Sequence, residues 1–179
     1  VSFSRGGTMS EDLRDFRIDY AAGQLFNPEA ATTKCTSTQF AADKCPAASY
    51  VGSFTVNAKI EVFGLGLNTI APGSIYVLQP NGSDDATLGY ITRPIGYAKS
   101  YVKQAIEIRT DSDGGQRAIT TNIPRTQTLA WSRVWGSTNI AISKLSFVFN
   151  SRTNTSKTGP YFTLNPTQCA SSQTNMTAT

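Results

Sequence analysis

Along the run SFTVNAKIEVF, Phe54, Val56, Ala58, Ile60 and Val62 alternate with Thr55, Asn57, Lys59 and Glu61. A period of two sorts the two sets onto opposite faces of a strand. One dry face and one wet face suit an antiparallel sheet. Phe16, Ile18 and Tyr20 alternate in the same way in DFRIDY. The pattern predicts further strands at 74–79, 87–92, 101–110, 117–123, 128–135, 140–150 and 160–164. In IAISKLSFVFN (140–150) the alternation changes phase between Ile142 and Leu145. A β-bulge near Ser143 and Lys144 accounts for that change. Between the strands lie PNGSDDA, TDSDGG, WGSTN and NSRTNTSKTG, all turn chemistry. One segment departs from the period of two. In TSTQFAADK, Thr36 with Gln39 three positions on reads as a capping box, which predicts a helix of about two turns.

Some nine short strands, frequent turns and one short helix predict an all-β chain. The expected fold is an antiparallel β-sandwich of immunoglobulin-like or jelly-roll type. A closed β-barrel is the alternative. The expected domain spans 13–170, flanked by a polar N-terminal arm (1–12) and a polar tail (171–179). Neither end carries enough apolar surface to pack alone, so both are expected to order on a neighbour's sheet edge.

Composition narrows the function classes. Of 179 residues, 39% are apolar and 16% charged. The balance is Ser, Thr, Asn, Gln and Gly, a mixture common in extracellular β-proteins. The net charge is +4. The 16 Lys and Arg residues are scattered with no cluster of five, which argues against nucleic acid as a partner. No apolar run reaches 18 residues, so no helical membrane span is expected. No leader is visible at Val1, so an exported protein is expected to be a processed form or an excised piece. There is no histidine, which removes Ser-His-Asp and Cys-His catalysis and histidine zinc sites.

Cys35 and Cys45 flank the expected helix. Nine intervening residues are too many for a CxxC redox pair. A zinc site would need two more ligands. A disulfide is the economical reading, and two buried thiols is the other. A disulfide implies an oxidising compartment. Cys169 is then either a buried thiol or the partner of a cysteine outside these residues. Asp84 with Asp85 and Asp111 with Asp113 sit in acidic turns that lack the spaced ligands of a calcium loop. No metal and no cofactor is expected. Glu61 and Glu107 fall on polar strand phases, where solvated charges belong, although two carboxylates across a cleft would suffice for a glycosidase. Trp131 and Trp135 are four apart in one expected strand and share a face, as a sugar-stacking platform or as core. Asn81, Asn154 and Asn175 open glycosylation sequons, of use only in a eukaryotic secretory path.

NPEAATTKCTSTQFAADKCPAASYVGSFTV, then IRTDSDGGQRAITTNIP with Trp135-Gly136, then LNPTQC, resembles a pattern found in large secreted proteins of actinobacteria. The resemblance runs from about residue 13 to 170 and departs at Gly114 and Gly115, where a bulky residue is expected. It implies an exported β-rich module of the cell surface and no known reaction. Three functions are therefore weighed. The first is a non-enzymatic, self-associating structural module of a cell surface, filament or virion. The second is a module that binds carbohydrate or envelope polysaccharide. The third is a hydrolase using paired carboxylates. The first is the expected one.

Overall fold

The computed structural model describes residues 2–4, 13–62, 65–80, 82, 84–94, 98–109, 114–128, 137–149, 161–164 and 174–178. Its strands are β1 (Ser2–Ser4), β2 (Phe16–Asp19), β3 (Leu25–Phe26), β4 (Tyr50–Val62), β5 (Leu65–Leu78) and β6 (Ala86–Thr92). They continue with β7 (Ser100–Ile108), β8 (Gln116–Thr120), β9 (Thr126–Thr128), β10 (Ser137–Phe149), β11 (Thr163–Leu164) and β12 (Asn175–Ala178). One sheet runs in the order β1-β10-β4-β5-β6-β7-β8-β2-β12, with β9 also beside β10. β3 and β11 form a separate two-stranded ribbon. The fold is all-β and antiparallel with one short helix, as the residue pattern predicts.

The long sheet curls, and its concave face holds the core. Phe54 of β4 meets Tyr90 of β6 at 5.3 Å between ring centroids, and Tyr90 meets Phe147 of β10 at 5.8 Å. Phe16 and Ile18 of β2 join the same cluster. The facing layers are thus two halves of one curled sheet, and among the described residues no pairing joins β1 to β12 to close it. The predicted bulge lies in β10, where the register against β4 slips between Ile142 and Lys144. The Ser143 hydroxyl donates to the Asn57 carbonyl at 3.1 Å beside it.

A second, smaller core covers the opposite face of β5 and β6. There the helix α1 (Ser37–Ala41) sets Phe40 against Leu78 and Ile91. Thr36 and Gln39 form the predicted capping box. The helix is shorter than the expected two turns, because Asp43 turns the chain with a φ of 53°. Cys35 and Cys45 are bonded, with Cα atoms 5.1 Å apart. The Cys35 N–H donates to the Val77 carbonyl and its carbonyl accepts from Gln79 N–H, each at 2.9 Å. The disulfide loop is therefore fastened to the end of β5.

The chain ends differ from expectation. Ser2–Ser4 pairs with β10, and Asn175–Ala178 pairs with β2, both within the same chain. A short ladder of hydrogen bonds to a sheet edge holds each segment, and Met176 of β12 also packs against the core.

Candidate functional site

The described residues do not fill the concave face. A cavity of about 110 Å³ lies between β4, β5, β6, β7 and β10. Its walls are aliphatic and aromatic: Val56, Ala58 and Ile60 from β4, Ala71 from β5, and Ile142 and Leu145 from β10. No Asp, Glu, Lys, Arg or Cys is among its lining residues. An engineered apolar cavity of about 150 Å³ takes up benzene, so this space suits one ring-sized or branched aliphatic group. It is too small for a sugar chain or a whole lipid.

Two polar side chains of its wall, Tyr90 and Thr120, are joined through Gln104. The Tyr90 hydroxyl donates to Gln104 Oε1 at 2.6 Å, and Gln104 Nε2 donates to Thr120 Oγ1 at 2.8 Å. All three side chains are buried. Burial, with the nearby Tyr20 adding to it, pushes the Tyr90 hydroxyl well above the usual phenol range, so it stays a neutral donor.

One lip of the cavity is a sheet edge without a paired strand among the described residues. β6 pairs with β5 only from Gly73 opposite Thr92 to Leu78 opposite Thr87. Among the described residues the last bond on that side is Arg93 N–H to the Pro72 carbonyl at 2.9 Å. Before Pro72, β5 continues paired to β4 alone among the described residues. Thr69 and Ala71 of this stretch line the cavity. Leu67, on the same face two residues on, is 50% exposed, and Ile70 on the other face is 65% exposed.

Two carboxylates anchor ion clusters away from the cavity. Asp43 takes Arg93 at 2.5 Å and also Lys99, which ties the disulfide loop to the β6–β7 connection. Burial works against ionisation of Asp43, but the hydrogen bonds and charge of Lys99 and Arg93 outweigh it and hold the carboxyl below its usual range. Asp19 takes Arg17 at 2.7 Å and Arg117 at 2.8 Å, and its carboxyl is lowered on the same balance, burial opposing and the two arginines prevailing.

Of the residues singled out in the sequence, Cys35 and Cys45 are joined. Trp131, Trp135, Cys169, Asp111 and Asp113 lie outside the described residues. Asp84 accepts from the Thr87 hydroxyl at 3.2 Å and Asp85 from Ile108 N–H at 2.8 Å, so both serve their own turn and strand. Glu61 is exposed, and neither it nor Glu107 lines the cavity. Among the described residues no group of three or more His, Cys, Asp or Glu is gathered as a metal would need, and no helix is long and apolar enough to cross a membrane. Sequence reasoning missed Gln104, although it falls in phase with Val102 and Ile106, the buried phase of its strand. A polar residue in an apolar phase was the available signal. No family model matches the chain, and neither does any curated protein or solved structure.

Proposed function

We propose that this chain is an exported, non-enzymatic module that works by associating with copies of itself on a cell surface, filament or virion. The observation that carries the reading is one continuous apolar tract. It runs from the cavity wall at Ile60 and Ala71, over Thr69, to the exposed Leu67 at the open edge of β5. Apolar surface that is left open and uncharged gains by burial against a partner. The same tract carries no carboxylate, amine, guanidinium or thiol, and Tyr90 and Thr120 in the cavity wall are engaged with Gln104. The disulfide and the resemblance to secreted actinobacterial proteins support export. The test is light scattering of the oxidised protein over a wide concentration range. A mass that rises to a defined multiple of the 19.3 kDa chain is expected. A monomer at every concentration would falsify the reading.

A further inference from the structure

We infer that two copies of this chain join edge to edge through β5, antiparallel about a twofold axis at Asn68. The inference rests on the self-association reading and names the surface and the register. Pro72 fixes the geometry. It has no N–H, and its carbonyl accepts from Arg93 on the β6 side of the strand. Residues two apart on a strand point their N–H and C=O groups to the same side. Gly66, Asn68 and Ile70 therefore aim theirs away from β4. All three are exposed, and none has a partner on that side among the described residues.

Sheet edges are usually blunted by lysine, proline or a bulge. Residues 65–71, LGLNTIA, contain no charge and no proline, and their register against β4 runs without a slip. The stretch is also self-complementary. With Asn68 opposite Asn68 of the second copy, Gly66 falls opposite Ile70 and Ile70 opposite Gly66. Each of these three pairs exchanges two hydrogen bonds, about six in all. On the convex face a small residue meets a large one. The Lys59 side chain lies over Gly66, its Cε within 2.0 Å of where a Cβ would stand. The second copy's Ile70 thus packs on the methylenes of Lys59. On the concave face Leu67 falls opposite the second copy's Thr69 and extends the lip of its cavity. The two Lys59 residues stand three strand spacings apart, about 14 Å, which exceeds the screening length of about 8 Å at physiological salt. A different protein's strand would have to supply its own glycine opposite Ile70, whereas this segment carries both halves of the fit.

Asn68→Cys tests the register. Hydrogen-bonded antiparallel pairs hold Cα atoms about 5.5 Å apart, within disulfide reach. Mild oxidation should yield a peptide containing position 68 linked to itself. Ile70→Lys tests the edge. This side chain is 65% exposed, so the thermal midpoint should stay near that of the parent while the dimer dissociates at least tenfold more readily in light scattering. An assembly that persists with Ile70→Lys and gives no 68–68 link overturns this interface and leaves self-association standing. A parent protein that is monomeric at every concentration removes both.

Discussion

Gln104 stands between a phenol and a threonine hydroxyl that line an apolar cavity, accepting from one and donating to the other. Gln104→Leu strands both hydroxyls in a dry site, and an unsatisfied buried polar group costs about 1–3 kcal/mol. The expected result is a lower denaturation midpoint at unchanged slope. Adding Tyr90→Phe and Thr120→Val should recover most of the loss, because a fully apolar replacement leaves nothing unsatisfied. Asp43 makes a prediction in pH. Its folded pKa is lowered, so its contribution is present above the unfolded value of about 3.9 and is lost as pH falls through the folded value. Asp43→Asn should thus be less stable than the parent at neutral pH. The gap should close in strong acid. A gap that stays constant from neutral pH down to strong acid would show that the ion pairs with Arg93 and Lys99 contribute nothing.

At the scale of elements, legibility followed burial. β4 and β10 each bury one face, so alternation gave their places and even the bulge. β6 is covered on both faces, by the main core and by the disulfide helix, and only its apolar run marked it. The first half of β5 was missed because Gly66, Pro72 and Gly73 carry no strand signal and its exposed Leu67 and Ile70 stand three apart, which fits no period of two. The curl of the sheet was not legible either. It gathers Phe16 and Ile18 of β2 into one core with Phe54 of β4, although β2 and β4 do not pair, a contact that no local pattern encodes. The cavity and its open lip depend on both missed features, so the candidate site was less visible than the fold. Gly89 gives the test at this scale. A Cβ there would come within 2.5 Å of Phe40 and 2.9 Å of Leu78. Gly89→Ala should push α1 off the sheet, destabilising by about 1–3 kcal/mol as overpacking does. It should also speed reduction of Cys35–Cys45 by dithiothreitol. Unchanged stability with unchanged reduction would mean that the helix is not seated on β6.

The whole molecule holds a tension between packing and association. A space of about 110 Å³ open at one lip forgoes packing contacts that larger side chains could make. A sheet that only needed stability could close the space with larger side chains on β4 and β5, yet Ala58 and Ala71 stand there. Filling a cavity is among the commonest stabilising changes, and its usual cost is function. Ala71 lies at the lip, two residues from Thr69 and four from Leu67, so Ala71→Leu fills the space from the side where a partner would reach it. Two readouts then separate packing from use. Thermal or denaturant unfolding should show a gain of about 1 kcal/mol, because part of the void is removed without a polar loss. Light scattering of the same variant should show weaker association, because the tract beside the β5 edge is no longer open. A more stable variant that associates as the parent does would confine the interface to the strand edge and leave the cavity a packing defect. A less stable variant would show that the lip has no room for three more carbons, and the apolar tract would then end at Leu67.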